Sequence, residues 1–257
     1  MTQFKYRMIV QYDGTRYWGW QYQPHGPTVQ GTLEEKMRMI LNYPVRLTGA
    51  GRTDAGVHAD YQVAHFYLPR PIDTTRLCRS LNSVLPWDVR VRALERVPPN
   101  FHARFSALWK EYVYQVYTGE VTPPYLYPYV WSLPVVLNFG AMVEAAQDLV
   151  GTYNYAPFGK GLQPGQEAVR TVLWARWDNR HPLYVFHIAC PGFLRGMVRY
   201  IVGLLVEIGM GRKPADAVRR ILVEQLHDWV RLKAPPQGLR LAYIAYPPDR
   251  LYPENHR

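Results

Sequence analysis

The order of strand-like and helix-like segments most limits the folds open to this chain. Residues 4–12 (FKYRMIVQY) alternate between apolar and polar side chains, as a half-buried strand does. Thr28 then precedes residues 29–41 (VQGTLEEKMRMIL), whose apolar side chains recur at helical spacing behind a capping threonine. Four further segments follow: a short strand at 45–49 after Pro44, a strand at 61–68, a helix at 74–85 before Pro86, and a strand at 89–97. The pattern predicts a β-α-β-β-α-β order.

After a linker at 98–107 (PPNFHARFSA), the pattern predicts a second copy of this order. Its predicted elements are a strand at 110–117, a helix at 137–151, strands at 168–178 and 183–190, helices at 193–209 and 214–226, and a strand at 239–246. Two copies of one supersecondary pattern predict a pseudo-two-fold molecule, although the copies share no visible sequence identity.

We therefore predict an α+β fold of two pseudo-two-fold related βαββαβ (ferredoxin-like) halves, residues 1–104 and 105–257. Their sheets are expected to join into one extended, mostly antiparallel sheet with helices on one face and a basic cleft on the other. A loop around Asp54 lies in the first half, and Arg199 lies on a helix of the second. A cleft between facing halves would bring these two residues together.

The charge of the chain indicates what kind of partner it has. The 257 residues include 30 Lys and Arg against 20 Asp and Glu, a formal net charge of +10. This balance favours a polyanion such as nucleic acid, with a plain solvated basic surface as the alternative. Because the basic residues are spread along the chain rather than gathered in a tail, we expect a folded basic face.

Cysteine content and hydropathy bear on the compartment. Cys78 and Cys190 lie far apart without CxxC spacing, which suits a reducing compartment and speaks against a disulfide framework or a zinc site. No signal-peptide-like segment begins the sequence, and no apolar stretch is long enough to span a bilayer. We therefore expect a cytoplasmic protein.

Residues 49–66 (GAGRTDAGVHADYQVAHF) are rich in glycine and lie just before and within the strand at 61–68. Gly49, Gly51 and Gly56 predict backbone that turns tightly or lets another group approach closely. The stretch is not a phosphate-binding P-loop, because no lysine follows the glycines and a strand rather than a helix comes next. The chain also lacks the G-x-S-x-G elbow of serine hydrolases.

Asp54 has several possible roles in this stretch. It could shape a turn, as Asp often does, or join His58 and His65 in a metal site, although their spacing matches no regular two-histidine motif. A glycosidase would need a second carboxylate, for which the neighbourhood offers only Asp60. Arg52 close by favours the ionised form of the Asp54 carboxylate. An ionised carboxylate held near a nucleic-acid backbone can serve as a nucleophile.

Residues 51–59 (GRTDAGVHA) resemble the signature loop of the TruA family of tRNA pseudouridine synthases. Seven further motifs stand in the family's order: YDGTRYWGWQ (12–21), TVQGTLE (28–34), NSVLP (82–86), FHARFSA (101–107), KEYVY (110–114), FLRGMVRYIVG (193–203) and APPQGLRLAYIAY (234–246). The resemblance therefore covers nearly the whole chain. The sequence departs from the family at Gly196 and Tyr200, where the family often has His and Asn.

The resemblance implies a role for each of four residues. Asp54 is expected to be the nucleophile, and Arg52 is expected to help hold the target base out of its helix. Tyr112 is expected to stack on the extruded uracil, and Arg199 to pair with Asp54. Extrusion costs a few kcal/mol, and stacking on an aromatic ring returns roughly 1–3 kcal/mol. Arg199 lies in a very apolar predicted helix, where a charge needs a partner.

The implied reaction is an isomerisation of uridine. The bond from ribose C1′ to uracil N1 breaks, the base turns within the pocket, and C1′ bonds to C5. The carboxylate adds to the ribose or to the base, or stabilises charge that develops on the sugar. No cofactor and no metal is needed. The implied substrates are uridines 38 to 40 of the tRNA anticodon stem-loop, and the implied assembly is a homodimer in which one tRNA touches both subunits.

Two functions of other classes remain open. Paired βαβ units with aromatic strands also suit an RNA-binding protein without catalysis. A nucleoside or glycoside hydrolase would release free base and would need a second carboxylate beside Asp54.

Overall fold

The computed structural model describes residues 3–163 and 165–247, which separate into two units. The first unit comprises residues 3–55, 59–110 and 243–247, and the second comprises 56–58 and the described part of 111–242. Each unit combines helices with mostly antiparallel strands, so the predicted α+β class is confirmed. None of the helices in the described residues has the length and apolarity needed to cross a membrane.

The first unit follows the predicted β-α-β-β-α-β order. Its elements are β1 (Phe4–Tyr12), α1 (Val29–Leu41), β2 (Thr48–Gly49), β3 (His58–Leu68), α2 (Thr74–Val84) and β4 (Val89–Arg96). Its strands run in the order β4-β1-β3, with every pair antiparallel, and β2 pairs with β3.

Local capping and apolar spacing explain both helices of the first unit. The Thr28 side chain accepts the Gly31 N–H at 3.2 Å and so fixes the start of α1, as predicted. The Asp73 side chain does the same for α2 by accepting the Arg76 N–H at 2.9 Å. The apolar stripes of the two helices are buried; they comprise Val29, Leu33 and Met37 in α1, and Leu77 and Leu81 in α2.

Two strands of the first unit differ from the prediction. β1 is buried on both faces rather than half-buried, because Lys5 Nζ donates to the carbonyls of Pro99 and Phe101, so that the chain after β4 covers the polar side. The strand predicted at 45–49 is only two residues long. Side chains of α1 take the place of a partner strand there, since the Leu47 N–H donates to Glu34 Oε1 and the Leu47 carbonyl accepts from Gln30 Nε2.

The second unit contains more elements than the predicted copy. They are β5 (Trp109–Tyr117), β6 (Trp131–Ser132), α3 (Phe139–Gln147), β7 (Gly151–Asn154), β8 (Val169–Val172), β9 (Trp174–Arg180), β10 (Leu183–Cys190), α4 (Met197–Gly209), α5 (Ala217–Glu224) and β11 (Leu239–Ala245), of which residues 109–110 of β5 and 243–245 of β11 are counted in the first unit. Within this unit the strand order is β11-β5-β10-β9. β6 lies parallel to β5, and β7 and β8 form a separate antiparallel pair.

Three predicted elements of the second unit are corrected. The strand predicted at 168–178 is divided at Leu173, because β8 pairs with β7 whereas β9 pairs with β10. The helix predicted from 193 begins at Met197, since Gly196 has φ +75° and turns the chain out of helical geometry. The helix predicted at 214–226 is the shorter α5, ended by Gln225 at φ 56°. The pseudo-two-fold relation, the joined sheet, the basic cleft and the halves 1–104 and 105–257 stay predictions.

Candidate active site

The backbone of residues 49–55, called here the Asp54 loop, is held at its base by β3. The Ala50 N–H donates to the Val63 carbonyl at 2.7 Å, and Gln62 Nε2 donates to the Gly51 carbonyl at 3.0 Å. Gln62 is fully buried and Gly51 is partly exposed, so this amide hydrogen bond is partly shielded from water. Breaking it would leave the buried amide without this partner, which is costly and favours a fixed loop base.

Thr53, next to Asp54, is anchored to two other parts of the first unit. Its Oγ1 lies 2.8 Å from Tyr12 Oη at the end of β1, and both side chains are buried. Its carbonyl accepts the Trp20 N–H at 3.3 Å. Burial raises the pKa of the Tyr12 phenol well above its ordinary value, so Tyr12 stays protonated at neutral pH.

Glycines let aromatic residues and backbone approach closely, as predicted for Gly49 and Gly56 but not for Gly51, whose Cβ position lies 3.8 Å from the nearest atom. A Cβ on Gly49 would lie 2.4 Å from Trp20 Nε1. On Gly19, which has φ +94°, it would lie 2.3 Å from the Thr53 carbonyl oxygen. Gly56, in the second unit, has φ +76°, and a Cβ there would lie 2.9 Å from Pro236 Cγ. No other residue type fits these positions without a shift of its neighbours.

The side chains of the Asp54 loop differ in their exposure to solvent. Asp54 is half-buried and Arg52 is exposed, whereas Thr53 between them is buried. Lys110 is also close: its Nζ lies 3.8 Å from the position a Cβ of residue 51 would take, and its side chain is buried. Two cationic residues, Arg52 and Lys110, therefore lie at this loop. The sequence led us to expect only Arg52.

Tyr112 lies in the second unit, in the middle of β5. Its ring is buried and meets the Phe193 ring edge-on, with centroids 5.1 Å apart and planes at 89°. Two residues later on the same face of the strand, Tyr114 Oη donates to the Pro235 carbonyl at 2.8 Å. Burial raises the pKa of Tyr114, and the nearby charge of Arg199 lowers it to a smaller extent.

Arg199 lies in the first turn of α4, also in the second unit. Its Nε donates to the Ala234 carbonyl at 2.7 Å, and its own carbonyl accepts the Ala234 N–H at 3.0 Å. The segment 234–235 therefore holds both Arg199 and Tyr114. A cation in the first turn opposes the helix dipole, so the fold places this guanidinium against the local electrostatic preference. Asp54 is in the other unit, and its pairing with Arg199 stays a prediction.

The residues of the metal alternative each have their own protein partners. His65 Nδ1 accepts the Ala103 N–H at 3.1 Å, and burial lowers the pKa of His65 to about 4. His58 Nε2 lies 3.2 Å from the Pro128 carbonyl, and its ring lies against Tyr129. Residues 3–163 and 165–247 contain no group of three or more His, Cys, Asp or Glu side chains that could hold a metal ion. Asp60, the second carboxylate of the hydrolase alternative, is exposed on β3.

Three residues that brace or flank the Asp54 loop were not expected from the sequence: Tyr12, Gln62 and Lys110. Gln62 did carry a signal, because it shares a strand face with Ala64, Phe66 and Leu68. A polar residue in such an apolar row indicates a buried hydrogen bond. Tyr12 and Lys110 each open a motif shared with the family, but only the folded structure shows that they lie at this loop.

A model of the family described as tRNA pseudouridine synthase matches residues 8–106 and 145–247 of this chain. Curated proteins named tRNA pseudouridine synthase A are similar over most of the chain. The protein of Syntrophotalea carbinolica is 38% identical over 243 residues, covering 95% of this chain and 96% of the relative. That of Synechococcus sp. is 41% identical over 243 residues, 93% and 82% of the two chains. That of Methylacidiphilum infernorum is 40% identical over 247 residues, 95% and 96%.

Proposed function

The chain belongs to the tRNA pseudouridine synthase family, whose members are isomerases, and from this premise we propose that it converts uridines 38, 39 and 40 of the tRNA anticodon stem-loop to pseudouridine. The C1′–N1 bond breaks and a C1′–C5 bond forms. The proton lost from C5 is balanced by one gained at N1. The net +10 charge of the chain suits a polyanionic substrate.

Asp54 is the proposed nucleophile. The observation that carries this assignment is the contrast between Thr53, which is held by hydrogen bonds directly before Asp54, and Asp54 itself, which is partly exposed. Covalent catalysis needs a nucleophile held in one position yet reachable by substrate. The hydrogen bonds of Thr53 hold the backbone next to Asp54 in position. The partial exposure of Asp54 lets substrate reach it.

Arg52, Tyr112 and Arg199 complete the proposed site. Arg52, exposed beside Asp54, is suited to take the place of the target uridine in its helix while the base is flipped out. We propose that the uracil stacks on the ring of Tyr112, which Phe193 contacts edge-on. Arg199 has its Nε committed to Ala234, and we propose that its terminal nitrogens bind the Asp54 carboxylate across a basic cleft between the units.

The substitution Asp54→Asn tests the nucleophile directly. It keeps the shape of the side chain but removes its charge, so we expect kcat to fall more than about 1000-fold while tRNA affinity stays within a few-fold. The assay is pseudouridine formation in unmodified tRNA, read by mass-sensitive sequencing together with free uracil. Asp60→Asn, an exposed carboxylate on the following strand, is the matched control and should keep full turnover.

Each other outcome of this assay selects a different function. Release of free uracil, lost in both Asp54→Asn and Asp60→Asn, would identify a hydrolase with paired carboxylates. Tight tRNA binding with no product from the unsubstituted protein would identify a non-catalytic RNA-binding protein. Substantial pseudouridine formation by Asp54→Asn would remove Asp54 from the proposed role.

Substitution of Arg199 tests the proposed pairing. We expect Arg199→Ala to lower kcat about 100-fold, because an unpaired carboxylate in a partly buried cleft gains a proton more readily and loses its orientation. Arg199→Lys should recover only part of that loss, since an ammonium lacks the two-pronged geometry of guanidinium. Steady-state kinetics on tRNA measures both, and an Arg199→Ala enzyme with unchanged kcat would contradict the pairing.

The proposal includes an assembly and a compartment. We propose a homodimer in which one tRNA touches both subunits, and sedimentation of the protein with and without tRNA tests this. We also propose that it works in the cytoplasm, where tRNA is found. Cys78 and Cys190 form no disulfide in the described residues, in keeping with a reducing compartment.

A further inference from the structure

The motif FHARFSA forms a tight turn over residues 102–106, called here the 102–106 turn, in the first unit. The Ser106 N–H donates to the His102 carbonyl, and the His102 N–H donates to Ser106 Oγ, both at 2.9 Å. The N–H groups of Arg104 and Phe105 donate to His102 Nδ1 at 3.1 and 3.2 Å. Four hydrogen bonds across five residues hold the backbone in one shape.

The turn is also fastened to the sheet beneath it. The Ala103 N–H donates to His65 Nδ1 at 3.1 Å, and the Ala103 carbonyl accepts from Tyr246 Oη at 2.6 Å. Both imidazoles act as acceptors, which requires a neutral nitrogen. Burial lowers the pKa of His65 and of His102, with further lowering from the charge of Lys5, so both rings are neutral at pH 7.

Three rings lead from the core to the surface through this turn. His65 is buried, and its ring centroid lies 4.7 Å from that of His102. The His102 ring lies 4.4 Å from that of Phe105, whose side chain is 75% exposed. The column therefore ends in a phenyl ring that is supported from behind and open to solvent. A flat ring held in this way is a platform on which another ring can stack.

A cation accompanies the open ring. The Arg104 Cζ lies 5.5 Å from the Phe105 centroid, and no carboxylate in the described part of the chain forms an ion pair with Arg104. Another exposed pair in the same unit differs in this respect. Arg16 lies 5.3 Å from the Trp87 ring, but its guanidinium is bound to Asp88 at 2.5 Å. Of these two arginines, Arg104 is the one that can bind an anion without breaking an ion pair in the described part of the chain.

We propose that Phe105 and Arg104 bind one unpaired nucleotide of the RNA substrate, with the base stacked on the phenyl ring and a phosphate held by the guanidinium. Stacking on aromatic side chains and bidentate contact to phosphate are the two interactions by which proteins hold single-stranded RNA. The identity of the RNA as tRNA rests on the proposed function. The contact is separate in sequence from the Asp54 loop, and its role is binding rather than chemistry.

Binding of a full-length, unmodified tRNA transcript tests this without turnover. We expect Phe105→Ala to raise the Kd about 5- to 100-fold by fluorescence anisotropy, and Phe105→Trp to leave it within about twofold. Because Phe105 is exposed, neither change should affect unfolding. Trp87→Ala is the matched control and should change the Kd less than about twofold. An ultraviolet-induced crosslink between the Phe105 peptide and the RNA, identified by mass spectrometry, should disappear in Phe105→Ala.

Arg104 is tested by the salt dependence of the same binding. Arg104→Gln should reduce the slope of log Kd against log salt by about 0.7 to 0.9, the loss of one phosphate contact, whereas Arg104→Lys should keep the slope. A Kd for Phe105→Ala within twofold of the unsubstituted protein would overturn the inference. An equal loss in Trp87→Ala would overturn it too, by showing that any exposed aromatic residue has the same effect.

The outcomes separate this inference from the proposed function. If Phe105→Ala loses affinity in a protein that forms no pseudouridine, the nucleotide contact stands and the proposed function fails. If the protein forms pseudouridine and Phe105→Ala binds tRNA normally, the proposed function stands and the contact fails.

Discussion

The Asp54 loop and the 102–106 turn lie in the same unit, and both hold a functional side chain on a fixed backbone, but different groups do the holding. In the Asp54 loop, Gly19 and Gly49 leave room for their neighbours because they have no side chain, and the neutral side chains of Tyr12 and Gln62 form hydrogen bonds. In the 102–106 turn the supports are the acceptor nitrogens of His65 and His102.

This difference has a consequence for pH. The groups that brace the Asp54 loop do not titrate between pH 4 and 8, since the Tyr12 pKa is raised far above that range and an amide has no proton to gain there. The imidazoles of the turn lose their acceptor role once they are protonated. The Asp54 loop should therefore be destabilised by a larger side chain at a glycine. The 102–106 turn should be destabilised by low pH.

Gly19→Ala should have the largest effect on stability. A Cβ would lie 2.3 Å from the Thr53 carbonyl oxygen, and the residue has φ +94°, so overpacking and backbone strain add. We expect a loss of about 3 kcal/mol in the free energy of unfolding, measured in urea, and a fall in kcat because the backbone at Asp54 must shift.

Gly211→Ala is the matched control for this substitution. Gly211 has φ +72° but no atom within 4 Å of its Cβ position, so only the strain remains, about 1 kcal/mol. Equal losses for Gly19→Ala and Gly211→Ala would mean that the close approach to Thr53 contributes nothing.

Lowering the pH should reduce the stability of the protein through protonation of His65, which supports the 102–106 turn. The folded-state pKa is lowered to about 4, below the ordinary value of 6.5, so the unfolded chain takes up a proton at a higher pH than the folded protein does. Stability from this group is complete above pH 6.5, falls as the pH drops towards 4, and levels off below. The total loss is about 3 kcal/mol at most. His102, whose pKa is also lowered, acts in the same direction.

Unfolding in urea at a series of pH values measures this loss. His65→Gln keeps an acceptor for the Ala103 N–H but cannot titrate, so its stability should depend less on pH than that of the unsubstituted protein. The comparison of the two slopes removes the contribution of the carboxylates, which is common to both. Identical slopes would contradict a neutral, buried His65.

The sequence predicts an element well when the residues that determine its bounds lie within the element itself. The bounds of α1 agree with the prediction because a cap and an apolar stripe lie within the helix itself. The division at Leu173 could not be predicted, since the two strands it separates pair with different partners distant along the chain. The shortened β2 likewise depends on Gln30 and Glu34, side chains of the preceding helix.

The same rule applies to the site. Asp54 and its glycines stand in one contiguous motif, and a motif can be identified from sequence alone. Tyr12 is 41 residues from Thr53, and Lys110 is 59 residues from Gly51. Both stand at the start of motifs that the sequence shares with the family, but the local pattern does not show that either side chain reaches the Asp54 loop.

Tyr12→Phe should have the smallest effect, and it tests whether the hydrogen bond of the Asp54 loop matters apart from its glycines. The change removes Tyr12 Oη, which lies 2.8 Å from Thr53 Oγ1. Both side chains are buried, so we expect a loss of about 1 kcal/mol in the free energy of unfolding. It should also lower kcat a few-fold, because Thr53 directly precedes Asp54.

A double-mutant cycle with Thr53→Val isolates this hydrogen bond. Removing both hydroxyls takes away both ends of this hydrogen bond, so the double variant should be more stable than the sum of the single losses predicts, by about 0.5 kcal/mol or more. Additive losses would show that the two hydroxyls do not depend on each other. In that case the close approach permitted by Gly19 and Gly49, and not the hydrogen bond, would be what holds Asp54 in place.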